Sequence, residues 1–113
     1  MVAQVRPKDL AQWLNSMRAF GEPVVLDVRE PDELQTASVT ADGFTLLAIP
    51  MGVIPPRLAE LDPQRPIACL CHHGGRSMQV ANFLKNRGFE HVANIAGGIH
   101  AWSAEVDPSI ARY

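Results

Sequence analysis

Residues 67–77 read Ile67-Ala-Cys-Leu-Cys-His-His-Gly-Gly-Arg-Ser77. The first five residues form a short apolar run, which is typical of a strand that is buried on both faces. Two glycines then interrupt the pattern, and helical spacing begins at about Ser77. The stretch therefore predicts a buried strand, a tight loop and a helix, with Cys71 at the junction between strand and loop.

Similar apolar runs occur on both sides of this stretch, at residues 24–28, 45–49 and 91–95, and residues 3–5 suit an additional edge strand. Segments with apolar residues at three- and four-residue steps lie between these runs, as expected for amphipathic helices. Strands that alternate with helices predict an α/β fold. We expect a mostly parallel central sheet of about five strands, flanked by helices on both faces.

The length and composition limit the possible classes of protein. The chain has 113 residues, of which 47% are hydrophobic, so a single domain over residues 1–113 is expected. A formal net charge of −2 provides no attraction for nucleic acid. No apolar run is long enough to span a bilayer, and the N-terminus has no signal-peptide pattern. These features predict a cytoplasmic protein without nucleic-acid or membrane partners.

The junction after the central strand has the character of an anion site. In parallel α/β sheets, ligands bind where strands end and the following helices begin. Gly74 and Gly75 can take positive φ, which would turn successive backbone N–H groups toward one point. The helix N-terminus and the permanent charge of Arg76 would add positive potential. The nearest anion is the thiolate of Cys71, which is the nucleophilic form of the thiol.

We expect the two cysteines to have different roles. Cys71 at a strand end could be a small hydrophobic residue, but the glycine loop, Arg76 and helix beside it favour a nucleophile. Cys69 lies within the apolar run, so it is expected to be inert packing. The two residues are too close along one strand for a disulfide of good geometry.

Three other side chains leave alternatives open. His72 and His73 can supply protons or guide an anionic donor, or they can contribute only their backbone N–H groups. Asp27 ends a predicted strand at the same edge, where it can orient Arg76 or the loop, or cap the turn at Glu30. No metal is expected, because inward N–H groups and a cationic arginine would repel a metal ion.

The stretch from Cys71 resembles the active-site loop of the rhodanese family. Leu26-Asp-Val-Arg-Glu-Pro-Asp-Glu33 is similar to the signature that follows the second strand in that family. Ile95-Ala-Gly-Gly-Ile-His-Ala-Trp102 resembles its C-terminal glycine and tryptophan motif. The order and spacing of the three motifs agree over nearly the whole chain.

This resemblance implies the rhodanese-like fold and a thiosulfate sulfurtransferase-like activity without a cofactor. Cys71 would take a sulfane sulfur from a small-molecule donor such as thiosulfate or a persulfide, and pass it to a thiol or protein acceptor. The active-site loop would consist of His72, His73, Gly74, Gly75, Arg76 and Ser77.

The sequence departs from the family at two places. The segment Leu34-Gln-Thr-Ala-Ser-Val-Thr40 lacks the Gly-His-Ile-Pro-Gly-Ala-like stretch of many members. His72 and His73 stand where two-domain members carry Arg and Lys, which weakens the case for thiosulfate as the preferred donor.

Two alternative functions follow from the same residues. Cysteine phosphatases and arsenate reductases have a Cys-x5-Arg loop, one residue longer than the six residues from Cys71 to Arg76. The shorter loop leaves less room for a tetrahedral oxyanion and favours a single added sulfur atom. A non-catalytic binding or carrier module is also possible, but such a module need not keep both Cys71 and Arg76.

Overall fold

The computed structural model describes residues 2–113 and places five parallel strands in one sheet. In chain order the strands are β1 (Ala3–Val5), β2 (Val24–Asp27), β3 (Thr45–Ala48), β4 (Ile67–Leu70) and β5 (Val92–Ile95). Their order in the sheet is β1-β5-β4-β2-β3. The predicted α/β fold is confirmed, with residues 3–5 at one edge of the sheet.

The described residues form four α-helices, namely α1 (Pro7–Met17), α2 (Pro31–Thr36), α3 (Gly75–Asn86) and α4 (Gly98–Glu105). The first three lie between strands, and α4 follows β5. Pro7 and Pro31 open the first two, a position where proline is favourable because the first helical N–H has no partner within the helix. Residues 51–53 and 55–60 form only 3-10 turns, in a stretch where Pro50, Pro55 and Pro56 disfavour longer regular elements. None of the described helices combines the length and apolar character needed to cross a bilayer.

The core has two apolar layers, one on each face of the sheet. Successive side chains of β4 alternate between them, so Ile67, Cys69 and Cys71 enter one layer and Ala68 and Leu70 the other. Helix α3 covers the first layer with Val80, Ala81 and Leu84. Helices α1 and α4 cover the second with Leu10, Leu14, Ile99 and Trp102.

The parallel register brings distant residues to one edge of the sheet. Leu26 of β2 lies beside Cys69 of β4, and Cys69 in turn lies beside Asn94 of β5. The segments after β2, β4 and β5 therefore leave the sheet next to one another. This edge holds Cys71, the loop after it and the N-terminus of α3.

Helix α3 begins at Gly75, two residues before the predicted start at Ser77. Gly74 takes the N-cap position with a left-handed φ of 106°, and the helix follows at once. Gly75 does not have a positive φ, so the expectation that both glycines take the left-handed conformation is wrong for Gly75.

Candidate active site

The sulfur of Cys71 lies at the start of the turn that leads into α3. Its side chain is buried, and Sγ accepts a hydrogen bond from the Gly74 backbone N–H at 3.1 Å. The left-handed conformation of Gly74 makes this bond possible, because it turns the chain back over the sulfur. The first N–H groups of α3 lie immediately beyond, where their dipoles favour negative charge.

A second polar contact reaches Cys71 from inside the helix. The Ser77 Oγ lies 3.2 Å from Cys71 Sγ and 2.5 Å from Asn94 Oδ1. The Asn94 amide donates its two hydrogens to Gln4 Oε1 at 3.0 Å and Gly74 O at 3.1 Å. The Asn94 oxygen therefore faces Ser77 as an acceptor.

The Ser77 hydroxyl has only one hydrogen, so at any one time it can donate either to Asn94 Oδ1 or to Cys71 Sγ. When Cys71 is a thiol, its S–H can donate to the Ser77 oxygen while the Ser77 hydroxyl donates to Asn94. When Cys71 is a thiolate, the hydroxyl can rotate toward the sulfur. Both Ser77 and Asn94 are buried, which strengthens such polar contacts.

Asn94 and Gln4 were missed by the sequence analysis. A polar side chain in the apolar run at residues 91–95 was a usable signal, because a buried amide needs hydrogen-bond partners. The identity of those partners depends on the pairing of β5 with its neighbours, which the run itself does not encode.

Arg76 forms an ion pair with Glu33 of α2. Its Nη1 and Nη2 donate to the two carboxylate oxygens at 2.6 and 2.9 Å. The Tyr113 hydroxyl donates to the same carboxylate at 2.7 Å. Hydrogen bonding to Arg76 holds the pKa of Glu33 far below its ordinary value. The charge of Arg76 is therefore largely offset rather than free to face the sulfur.

The alternative in which Asp27 orients Arg76 is wrong, because Asp27 pairs with Arg29. Arg29 donates from Nη2 to Asp27 Oδ2 at 2.7 Å and from Nε to Oδ1 at 2.9 Å. Both side chains are buried, so their mutual neutralisation is required. Glu30 and Glu33 instead form a capping box at the start of α2.

Cys69 lies in the apolar layer with no exposed surface. Burial, followed by the nearby charge of Cys71, raises the pKa of Cys69 to about 12. At neutral pH this residue is therefore a thiol, a form without nucleophilic reactivity.

The glycine pair before α4 docks this helix onto the Cys71 loop. The Ile99 N–H donates to Cys71 O at 2.9 Å, and the His100 N–H donates to His72 O at 3.1 Å. Gly98 has a left-handed φ of 61°, and a Cβ there would collide with the carbonyl oxygens of Cys71 and His72. The loop thus depends on glycine at this position.

Comparison with known families gives this geometry its context. The sequence model of the rhodanese-like domain matches residues 10–105.

The chain belongs to the rhodanese-like domain family.

Relatives of this rhodanese-like domain include a much longer protein and one of nearly the same length. It is 40% identical over 114 residues to the chloroplastic Rhodanese-like/PpiC domain-containing protein 12 of Arabidopsis thaliana, covering 99% of this chain but 38% of that protein. It is 33% identical over 112 residues to a protein named Sulfurtransferase from Allochromatium vinosum, covering 98% and 97% of the two chains. The general activity that the family and these names support is rhodanese-type sulfur transfer.

A solved structure agrees with the fold of this rhodanese-like domain. The crystal structure of a rhodanese-related protein from Thermoplasma volcanium has a TM-score of 0.77 and 27% sequence identity. The match covers 98% of this chain and 99% of the other. The sheet and the helices on its two faces are therefore those of a rhodanese-like domain.

In this rhodanese-like domain, four aromatic rings cluster beside the Cys71 loop, at a place that we call the mouth of the loop. They are the rings of His72, His73, His100 and Tyr113. His72 stacks on Tyr113 with ring centroids 3.8 Å apart, and on its other neighbour His73 at the same distance. His100 lies 5.1 Å from His73, measured between ring centroids. Burial and then the neighbouring His73 lower the pKa of His72. The sequence analysis missed His100 and Tyr113, whose approach depends on α4 and the chain end.

A cavity of about 410 Å³ opens beside the loop. Its lining includes Gln4, His73, Gly74, Met78, Asn94 and Gly97. Gly74, whose N–H contacts the Cys71 sulfur, lines this cavity and therefore lies between the cavity and Cys71. The Cys71 side chain is itself almost fully buried.

The Arg76–Glu33 pair predicts a specific loss of stability in acid. The pKa of Glu33 is lower in the folded protein than in the unfolded chain, where it is about 4.3. Its contribution is present above the unfolded value and is lost as the pH falls below it. The free energy of unfolding of the parent should therefore exceed that of Glu33→Gln by a constant amount above about pH 5.5, and this difference should shrink steadily as the pH falls from about 5 to 3.

Urea unfolding of both proteins across this range measures the effect. In an Arg76→Gln background the same Glu33→Gln replacement should show a much weaker pH dependence, because its main partner is gone. An unchanged pH dependence in that background would contradict the assigned cause.

Proposed function

We propose that this rhodanese-like domain is a sulfurtransferase in which Cys71 carries the transferred sulfur. The donor is a small molecule with a sulfane sulfur, such as thiosulfate or a persulfide, and the acceptor is a thiol or a protein. The proposal rests on the buried Sγ of Cys71, which lies 3.1 Å from the Gly74 N–H at the N-terminus of α3.

Two displacement steps account for the reaction. The Cys71 thiolate attacks the outer sulfur of the donor, a new S–S bond forms, and the donor S–S bond breaks to release sulfite or a thiolate. An acceptor thiolate then attacks the outer sulfur of the Cys71 persulfide and restores the Cys71 thiolate. No net oxidant is consumed, and the covalent intermediate predicts ping-pong kinetics.

The loop supports the anionic states of this cycle. The Gly74 N–H and the dipole of α3 are directed toward the sulfur. Ser77 contributes a hydroxyl that can leave Asn94 and donate to the sulfur when it carries charge. Arg76 acts through space, and its effect is reduced because both Nη atoms bind Glu33.

Removing the Ser77 hydroxyl should slow sulfur transfer. Ser77→Ala removes the side-chain donor from the sulfur and leaves Asn94 Oδ1 unpaired. Hydrogen bonds to charged groups contribute about 1.5–3 kcal/mol, which corresponds to a roughly ten- to hundredfold lower rate. The rate of Cys71 alkylation by iodoacetamide and steady-state sulfur transfer both report the loss.

A matched control for this change is Ser103→Ala in α4. Ser103 is also a buried serine, but its hydroxyl donates to Ile110 O at 2.8 Å. If Ser77→Ala retained the activity of Ser103→Ala at comparable thermal stability, Ser77 would have no part in stabilising the sulfur.

Mass spectrometry of the intact protein tests the proposed function directly. Incubation with thiosulfate, or separately with glutathione persulfide, should add one sulfur atom that maps to Cys71 and is removed by cyanide or a thiol. A sulfur that loads but is never released would identify a carrier. Hydrolysis of an aryl phosphate without sulfur loading would overturn the proposal in favour of a phosphatase.

A further inference from the structure

Three imidazoles converge at the mouth of the Cys71 loop. One ring nitrogen from each of His72, His73 and His100 lies within 4.8 Å of the others. They are three of the four histidines in the chain, and the fourth, His91, stacks on Phe20 at a different site. The clustering is therefore a product of the tertiary structure.

The backbone fixes the positions from which these rings extend. His72 and His73 are adjacent in the chain, and the hydrogen bond from the His100 N–H to His72 O ties the third histidine to them. Gly98 allows this close approach of α4 to the loop. The rings of His73 and His100 are exposed, so they can rotate while their backbones stay in place.

We propose that His72, His73 and His100 bind a divalent transition-metal ion of the Zn²⁺ class. Neutral imidazole nitrogen is a common ligand of such ions, and three protein ligands with one open position is a frequent zinc arrangement. Zinc–nitrogen distances of about 2.0–2.1 Å place tetrahedral ligand atoms roughly 3.4 Å apart. Ring rotations that bring the nitrogens closer by an ångström or so complete the site.

The charges around the rings permit a cation. The sequence-based argument against a metal rested on inward N–H groups and on an unpaired positive charge at Arg76. The Gly74 N–H already donates to Cys71 Sγ at 3.1 Å. In the structure the Arg76 guanidinium binds the Glu33 carboxylate, and Arg29 binds Asp27. Each nearby arginine is thus offset by a carboxylate.

One histidine nitrogen also lacks a partner. The Nε2 atom of His72 is buried and makes no hydrogen bond within residues 2–113. A buried polar atom without a partner is unfavourable, and such atoms are uncommon in folded proteins. Ring rotation that directs this nitrogen toward a metal would satisfy it.

A metal at this position would lie beside the loop that carries Cys71. The ligand His72 follows Cys71 directly in the chain, so the ion would cover the mouth of the loop. The site itself does not use the sulfur, so zinc binding can be measured in a protein that lacks the Cys71 thiolate.

Calorimetric titration of Zn²⁺ into the folded Cys71→Ser protein tests the proposal. This variant removes the thiolate, which binds zinc on its own. We expect one binding site. Adding His100→Ala should weaken zinc binding by about 10- to 100-fold or more. A loss of this size is typical when a group that only supports a metal ligand is removed.

The matched control is His91→Ala in the same Cys71→Ser protein, because His91 lies outside the cluster. It should leave the zinc affinity unchanged. Absence of binding to Cys71→Ser, or equal affinities for the His100→Ala and His91→Ala proteins, would overturn the proposal. His100 is exposed, so its replacement is expected to preserve the fold, which a thermal melt verifies. Since activity is not measured, neither result bears on the proposed sulfur transfer.

Discussion

Cys71→Ser should abolish sulfur transfer and leave the fold intact. A serine hydroxyl is far less nucleophilic at neutral pH than a thiolate, and it cannot form the persulfide on which the proposed cycle depends. The loss should amount to several orders of magnitude, as for other enzymes that lose their nucleophile. Steady-state transfer from thiosulfate to cyanide and mass spectrometry of the loaded protein measure the two consequences.

Cys69→Ser provides the matched control on the same strand. Cys69 is fully buried, and the pKa of its thiol is raised to about 12 by burial. A serine hydroxyl there lacks an assured partner in an apolar layer, so stability should fall by about 1–3 kcal/mol while sulfur transfer persists. An active Cys71→Ser protein together with an inactive but folded Cys69→Ser protein would reverse the assignment.

The second large effect is expected from Gly98→Ala. The left-handed φ of Gly98 disfavours an L-residue by about 1–2 kcal/mol. The added Cβ also collides with the carbonyl oxygens of Cys71 and His72, and overpacking of this kind costs about 1–3 kcal/mol more. A combined loss of this size should lower the Tm by roughly 10–20 °C.

Sulfur transfer should fall as well, because relief of the collision moves the carbonyls that hold α4 on the loop. Gly88→Ala separates this effect from backbone strain alone. Gly88 has a positive φ of 91°, but a Cβ there meets no atom within 4 Å. Thermal melts and transfer assays of both variants are the measurement. Equal losses in the two proteins would show that close packing at Gly98 has no special importance.

The predicted strands and helices agree closely with the structure where they depend on the local sequence pattern. The run at residues 67–71 became β4 at Ile67–Leu70, and the runs at 24–28 and 91–95 also matched their strands within one residue. Such runs must be buried wherever the sheet forms, and prolines or glycines limit them. The start of α3 was missed by two residues, because the choice between Gly74 and Gly75 for the left-handed cap depends on what surrounds the loop.

The local sequence pattern did not predict which distant side chains pair with one another. Asp27 ends β2 and Arg76 lies in the first turn of α3, yet Asp27 binds Arg29 and Arg76 binds Glu33. The partner of each carboxylate depends on which charged groups the packed strands and helices bring within a few ångströms of it.

The sequence by itself thus determined the α/β architecture, the family and the place of Cys71 at a strand end, since each follows from residues close together in the chain. Only the tertiary structure decided which groups surround the sulfur and the mouth of the loop. Asn94 reaches Ser77 through the sheet register, and His100 joins His72 because α4 docks at Gly98. The physical reason is that hydrogen bonds and ion pairs act over a few ångströms, so their partners are known only once strands and helices have packed.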